Sequence, residues 1–185
     1  MNALFSLHNA VFARISRLDA LLPDLARLIF AAVLFGYFWN SGLTKLGDGF
    51  FGFLSPSVGA YAQIFPKAME AVVYDTSQLS IFHTLVVIAG TWAEFLLPVL
   101  IVLGLLTRLS ALGMIGFIVV QSLTDLYGHG GIEHPETLGA WFDRVPDSVI
   151  LDQRAFWVFL LLVLVIKGAG RLSLDRLLSR SGAEA

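Results

Sequence analysis

Four long stretches of mostly apolar residues constrain the fold of this chain more than any other feature. An α-helix needs roughly 17–25 mostly apolar residues to cross a bilayer. Because lipid offers the backbone no hydrogen bonds, such a stretch crosses it as a helix. The sequence therefore predicts an all-α protein, a four-helix transmembrane bundle. The predicted spans lie near Leu25–Leu46, Ile81–Leu106, Leu109–Leu126, and Ala155–Ile166 with its flanks.

The composition agrees with a membrane location. Hydrophobic residues make up 57% of the 185 residues and charged residues only 14%, whereas a soluble domain carries about 25% charged residues. The net charge of −2 provides no basic surface for a nucleic-acid partner. The chain has no cysteine, so it supplies no thiolate for an iron–sulfur cluster and no thiol nucleophile.

The chain divides into three predicted parts. Before the first span, Leu4, His8, Phe12 and Ile15 recur at helical spacing, while Arg14 falls on another face. This pattern predicts an amphipathic helix that lies in the membrane interface among the lipids. The three parts are the interfacial segment (1–24), the four-helix membrane domain (25–172) and a cytoplasmic tail (173–185).

Lysine and arginine residues are concentrated on one side of the predicted bundle, and the positive-inside rule makes that side cytoplasmic. It holds both termini and the short Thr107–Arg108 turn between the second and third spans. Two long loops, 47–80 and 127–153, then face outward, and we expect the phenylalanines of the first to lie partly in the interface. The basic residues of the cytoplasmic side are Arg14, Arg17, Arg27, Arg108, Lys167, Arg171, Arg176 and Arg180.

A few polar side chains lie within the spans, where an ionisable group costs at least ~2.5–3.5 kcal/mol and is a functional hypothesis by default. Glu94 lies thirteen residues from the outer end of its span, roughly 20 Å deep at about 1.5 Å per residue. We expect it to meet Gln121 or Asn40, with Lys45 and Asp125 nearer the outer mouth of a cavity. Glu94 and Asp125 are thus the candidate catalytic residues, and Asn40, Lys45 and Gln121 the candidate cofactor-binding residues.

Simpler roles are open for most of these residues. Gln121 and Asn40 can be hydrogen-bonding contacts between helices, and Lys45 and Asp125 can extend to the interface. A carboxylate in mid-span, such as Glu94, is harder to explain by packing alone. The fourth span has no polar residue in its interior, and we expect it to form a wall that faces lipid.

The second outer loop contains the sequence H-G-G-I-E-H, which includes His129, Glu133 and His134. Imidazole and carboxylate groups suit zinc, copper or iron, so these three residues are candidate ligands of a metal ion. The alternative is a solvated loop with two surface histidines. The two glycines allow almost any loop geometry, and the spacing matches no rigid ligand pattern.

Three segments of the chain carry the resemblance to a known family. Phe38–Leu46 reads F-W-N-S-G-L-T-K-L, Glu94 is followed by L-G-L-L-T-R at Leu103–Arg108, and Lys167–Asp175 reads K-G-A-G-R-L-S-L-D. In this order and spacing, they resemble the DoxX-like family of small integral membrane proteins. The matching motif positions are Gly42, Lys45, Glu94, Arg108, Lys167, Gly168, Gly170, Ser173 and Asp175.

The resemblance implies a four-helix protein of the bacterial inner membrane. Some relatives are subunits of quinone-linked sulfur-oxidising enzymes, and others are associated with oxidative stress or metal handling. The long outer loop of this chain departs from the family's usual connection, so an inherited substrate does not follow.

Three functional hypotheses follow. The first is a membrane component of an oxidoreductase system, with a quinone or similar redox ligand in a cavity in the outer half of the bundle. The second is a non-catalytic anchor for a redox or metal-handling protein. The third is a small metal-handling or transport protein that uses the outer-loop histidines. The expected partners are lipids, oxidoreductase subunits and further copies of the chain.

Overall fold

The fold is all-α in the part of the chain that the structure describes, residues 2–181. In this computed structural model 77% of the residues are helical, and the described range contains no strand. Residues 182–185 of the predicted tail, and the side chains of Arg17 and Arg180 used in the orientation argument, lie outside the description. The α-helices are α1 (Asn2–Ile15), α2 (Leu22–Phe30), α3 (Gly36–Lys45), α4 (Val58–Ile64), α5 (Pro66–Ala71), α6 (Ile81–Leu103), α7 (Thr107–Leu123), α8 (Pro135–Leu138), α9 (Arg154–Lys167) and α10 (Leu174–Ser181).

Three of the described helices are long and apolar enough to cross a membrane. They run over Ile81–Leu103, Thr107–Gly128 and Val149–Lys167, and they agree with the second, third and fourth predicted spans. The second of them continues α7 through a π-helical turn, and the third begins with a π-helical turn that leads into α9. The protein is therefore a membrane protein with transmembrane-like helices.

The first predicted span has a different character. It consists of α2, a π-helical segment at Ala31–Phe35 and α3, which together form a helical run from Leu22 to Lys45. This run is not among the three helices that meet the spanning criteria by length and composition. A fourth crossing, and with it the four-helix count of the bundle, stays a prediction.

The main hydrophobic core lies between α2, α3, α6, α7 and α9. Phe30, Phe38, Met114 and Leu161 are among its fully buried side chains. Leu161 belongs to the fourth predicted span, which therefore also contributes to the core. One side of α9 packs into the core, whereas residues such as Phe159 on the other side are exposed. Because both sides of α9 are apolar, the sequence does not show which side is buried.

Buried Arg27 ties one end of the helices together. Its Nε donates a hydrogen bond to the Ile101 carbonyl at 2.9 Å, and its Nη1 donates to the Ala169 carbonyl at 3.1 Å. Further bonds go to the carbonyls of Val102 and Leu172. Arg27 therefore satisfies carbonyl groups left open at the end of α6 and in the segment after α9.

Asp24 completes the same junction. Asp24 accepts hydrogen bonds from the backbone N–H groups of Arg171 and Leu172, both at 2.9 Å. Gly170 has φ +82°, and a Cβ there would lie 2.5 Å from the Asp24 carboxylate. The glycine-rich motif after α9 is thus shaped to let its backbone approach α2 closely.

The loop between α3 and α4 exposes aromatic side chains beside α6. Phe50 is 86% exposed and Phe51 67% exposed, while the indole N–H of Trp92, eleven residues into α6, donates to the Phe53 carbonyl at 3.1 Å. The loop closes on itself through a hydrogen bond from the Gly47 N–H to the Gly52 carbonyl. The expectation that these phenylalanines lie partly in the membrane interface stays a prediction.

The first part of the chain is helical, as predicted, through α1 and a 3-10 turn at Ser16–Leu21. Its apolar side chains are exposed, with Leu4 74% and Phe12 53% accessible. Contact of this helix with the membrane interface stays a prediction.

Candidate functional site

A cavity of about 530 Å³ lies between α3, α4, α6 and α7. Apolar residues such as Ile64, Val86, Leu97 and Phe117 form much of its wall. Its polar lining residues are Tyr37, Ser41, Lys45, Gln63, Glu94, Gln121, Thr124, Asp125 and His129. The cavity therefore combines apolar walls with polar groups, as binding sites for small molecules do.

Lys45 and Glu94 form a buried ion pair in this cavity. The Lys45 Nζ lies 3.0 Å from Glu94 Oε1 and 2.9 Å from Oε2. Lys45 is 5% exposed and Glu94 2% exposed. Because two charges so far from water are costly unless they are paired and hydrogen-bonded, each depends on the other.

Ser41 completes this pair. Its hydroxyl lies 3.0 Å from Glu94 Oε1 and accepts a hydrogen bond from Lys45 Nζ at 2.8 Å. The Lys45 ammonium also reaches the Ser41 carbonyl at 3.3 Å. Ser41 lies four residues before Lys45, so one helical face presents both side chains to Glu94 on α6.

Gly42 permits the close approach of α3 to α6. A Cβ at this position would lie 2.7 Å from the ring of Phe95, the residue after Glu94. The glycine of the F-W-N-S-G-L-T-K-L segment therefore has a packing role that brings the lysine and the glutamate together.

Gln121 contributes a second polar group to the cavity. Its Nε2 donates a hydrogen bond to the Tyr37 hydroxyl at 2.8 Å. Its carbonyl oxygen Oε1 is buried and has no hydrogen-bond partner among the described residues.

Asp125 is held at the edge of the cavity by an arginine of α9. The Arg154 Nη2 lies 2.5 Å from Asp125 Oδ2, and Nη1 donates to the Ser122 hydroxyl at 2.9 Å. The Asp125 side chain is 34% exposed, whereas that of Arg154 is only 5% exposed. The ion pair therefore joins the cavity edge to the beginning of α9.

His129 lies at the same edge. Its Nε2 is 3.0 Å from the backbone carbonyl of Gln63. Because a carbonyl oxygen only accepts hydrogen bonds, this contact places a proton on Nε2. In the neutral ring Nδ1 is then free to accept a hydrogen bond.

Four of the five predicted catalytic and cofactor-binding residues line this one cavity. Lys45, Glu94, Gln121 and Asp125 all do so, whereas Asn40 is exposed and lies outside the lining. The expectation that Glu94 meets Gln121 or Asn40 is corrected, because Glu94 is bonded to Lys45 and Ser41. Asn40 precedes Lys45 by five residues, which turns it about 140° around the helix, away from the site.

The predicted metal ligands are not brought together. His129 contacts Gln63, and His134 lies 3.4 Å from Glu136 in an exposed pair. Glu133 is exposed and does not line the cavity. The described residues contain no group of three His, Asp or Glu side chains placed to hold a metal ion.

Several residues of the site were not selected from the sequence, among them Ser41, Tyr37 and Arg154. Ser41 could have been found from its spacing of four residues from Lys45. Tyr37 is likewise four residues before Ser41, so the same face continues along the helix. Arg154 carried no such signal, since its contact with Asp125 depends on how α7 and α9 pack.

Comparison with protein families shows which family the chain resembles. The model of the family described as DoxX matches residues 23–124, which is more than half of the chain. The match includes the first two predicted spans and most of the third. No curated protein and no solved structure matches the chain.

Proposed function

The chain belongs to the DoxX family, and we propose that it is an integral membrane component of an oxidoreductase system that binds a quinone or similar redox ligand. The ligand occupies the cavity beside the Lys45–Glu94 pair. The observation that carries this proposal is a buried ion pair in the wall of an otherwise largely apolar cavity. Such a pair is costly in a membrane, and intramembrane ionisable groups are commonly functional.

The size and lining of the cavity fit a ring-shaped apolar ligand. Its volume of about 530 Å³ lies within the range of roughly 300–1,000 Å³ that is usual for small-molecule sites. Leu97 and Phe117 offer apolar surface to a ring, and Gln121 and Tyr37 offer hydrogen bonds to an oxygen at its edge. A quinone supplies reversible uptake of electrons together with protons.

The chain's own residues serve as proton carriers in this proposal. The Glu94 carboxylate accepts a proton and the Lys45 ammonium donates one, and their contact lets a proton pass between them without creating net charge in the bilayer. Asp125, partly exposed at the cavity edge, connects the site to the membrane surface. In this proposal electrons pass to or from a separate redox protein; the chain itself has no cysteine to hold an iron–sulfur cluster.

The proposal includes four crossings, with both termini in the cytoplasm of a bacterial cell. The contacts of the first helical run support it. Arg27 bonds to Ile101 at one end of α6, whereas Tyr61, on α4, bonds to Thr84 near the other end. The chain from Leu22 to Ile64 thus extends along most of the length of α6, in the opposite direction.

A pair of helical glycines allows a matched test of ligand binding. A Cβ at Gly116, which lines the cavity, or at Gly36, which does not, would meet no atom within 4 Å. We expect Gly116→Leu to fill the cavity and lower the affinity for a short-chain para-benzoquinone at least tenfold in purified protein in nanodiscs. Gly36→Leu leaves the affinity unchanged. No quinone binding by the wild type, or equal binding by both variants, contradicts the proposal.

The same assay tests the proton carrier. Glu94→Gln keeps the shape of the side chain but removes its ability to exchange a proton, and Glu70→Gln changes an exposed glutamate outside the cavity. We expect Glu94→Gln to lower the rate at which an added electron acceptor oxidises quinol. Glu70→Gln is expected to leave this rate unchanged. Unchanged binding and turnover in this variant would remove Glu94 from the mechanism.

One observation favours a second candidate, a non-catalytic membrane anchor for a redox protein. The Lys45 ammonium is already bonded to both Glu94 oxygens and to Ser41, so the pair can serve to fix α3 against α6. Copurification of a partner protein, with no quinone binding by this chain, would favour the anchor.

A further inference from the structure

Gln121 and Tyr37 form a second polar pair in the cavity, separate from the Lys45–Glu94 pair. They lie on α7 and α3 and are joined by the hydrogen bond from Gln121 Nε2 to the Tyr37 hydroxyl at 2.8 Å. Both residues line the cavity, together with apolar Phe117 and Val120.

The pair has unused hydrogen-bonding capacity. In the orientation described, Gln121 Oε1 is buried without a donor. When the Tyr37 oxygen accepts from Gln121, its own O–H is free to donate. A buried acceptor without a partner is costly, by about 1–3 kcal/mol in protein interiors.

We infer that Gln121 and Tyr37 hold a ring oxygen of the redox ligand and set the specificity of the cavity for oxygen-bearing rings. This inference rests on the proposed function. A ligand hydroxyl matches the pair, because it donates to Gln121 Oε1 and accepts from the Tyr37 O–H.

The same pair also fits the oxidised form of such an oxygen. The amide of a glutamine can turn through a half rotation, which exchanges its oxygen and nitrogen. The Tyr37 hydroxyl then donates to Gln121 Oε1, and Gln121 Nε2 is free to donate to a carbonyl of the ligand. A ligand oxygen that alternates between hydroxyl and carbonyl is therefore satisfied in both states, whereas Lys45 and Glu94 remain bonded to each other.

The test compares three probes: a short-chain para-benzoquinone, its hydroquinone, and the hydrocarbon analogue with methyl groups in place of the oxygens. Gln121→Met keeps the length of the side chain but removes its hydrogen bonds. We expect this variant to bind the quinone and the hydroquinone about tenfold more weakly than the wild type. Its affinity for the hydrocarbon stays unchanged, since the apolar walls are intact.

A spectroscopic measurement separates direct contact from a structural effect. Hydrogen bonding lowers the carbonyl stretching frequency of bound quinone in the infrared spectrum, and Gln121→Met is expected to raise that frequency again. Gln78→Met, which changes an exposed glutamine outside the cavity, leaves both the affinities and the frequency unchanged. Tyr37→Phe, which keeps the aromatic ring, is the second variant and weakens both oxygen-bearing probes several-fold.

The outcomes distinguish this inference from the proposed function. Quinone binding that is equally tight in the wild type, Gln121→Met and Tyr37→Phe overturns the inference and leaves the proposed function standing. A wild type that binds neither quinone nor hydroquinone overturns both. Equal loss of affinity for all three probes in Gln121→Met assigns this residue a structural role and also overturns the inference.

Discussion

At the residue scale, the Lys45–Glu94 pair is the feature with the largest energetic consequence. Each partner is nearly inaccessible, and each is the other's counterion. We expect Lys45→Met or Glu94→Leu alone to lower the free energy of unfolding by about 3–5 kcal/mol, because the remaining charge is buried without a partner. The double variant is expected to lose much less free energy of unfolding than the two single variants lose together.

The measurement is a double-mutant cycle, read from unfolding midpoints of the purified protein in mixed micelles. Lys67→Met, which changes an exposed lysine outside the cavity, is the control and is expected to have little effect. Additive losses in the double variant would show that the two charges are stabilised independently.

At the scale of elements, the beginning of α7 depends on a side chain from the distant α10. Asp175 accepts hydrogen bonds from the backbone N–H groups of Leu106 at 2.7 Å and Thr107 at 2.9 Å. Partial burial acts to raise the pKa of Asp175, but the hydrogen bonds from Thr107 and Leu106 and the charge of Arg27 outweigh it, so this pKa lies below the usual aspartate value. Asp175 thus caps the N-terminus of a helix that begins 68 residues earlier in the chain.

This arrangement predicts a pH dependence. Because the pKa of Asp175 is lower in the folded protein, its stabilisation is present above the usual aspartate pKa and is lost as the pH falls through the lowered value. We expect Asp175→Ala to lower the free energy of unfolding by about 1 kcal/mol at neutral pH. Thermal unfolding from neutral to acidic pH should show that the wild type and Asp175→Ala converge in acid. Asp48→Ala, at an exposed loop position, is the control; parallel curves for wild type and Asp175→Ala would contradict the prediction.

At the scale of the whole molecule, the number of crossings decides where the N-terminus lies. Three crossings by α6, α7 and α9 place the C-terminus and the loop before α6 on opposite sides. If the helical run from Leu22 to Lys45 also crosses, the N-terminus shares the side of the C-terminus. If it does not, the N-terminus shares the side of the loop before α6.

The absence of native cysteine makes this measurable. We expect a membrane-impermeant maleimide to label Gln78→Cys in intact cells, and to label Ser6→Cys and Ser179→Cys only after the cytoplasm is opened. All three positions are exposed. Labelling of Ser6→Cys in intact cells, with Ser179→Cys protected, would rule out the fourth crossing.

Much of the candidate site follows from the sequence, because a polar residue in an apolar run is conspicuous. Lys45, Glu94, Gln121 and Asp125 were selected in this way, and all four line the cavity. Asn40 was selected by the same rule, yet its side of the helix faces away from the cavity. The rule recognises the cost of a polar group in lipid but does not say which way the helix is rotated.

Partners across helices could not be obtained from the sequence. The pairing of Asp125 with Arg154 depends on how α7 meets α9, and the capping of α7 by Asp175 depends on where the chain returns after α9. The K-G-A-G-R-L-S-L-D segment was selected from the sequence only for its resemblance to the DoxX-like family. The structure shows that it contacts Asp24 and the turn before α7.

The sequence by itself determined that the chain is helical, apolar enough for a membrane, and marked by a few costly polar residues. These properties follow from the local run of side chains along each helix. Only the tertiary structure decided that Lys45 and Ser41 meet Glu94, that Asn40 turns outward, and that Gln121 keeps an oxygen without a partner. Those outcomes depend on the rotation and approach of neighbouring helices, which are set by packing at positions such as Gly42 rather than by hydropathy.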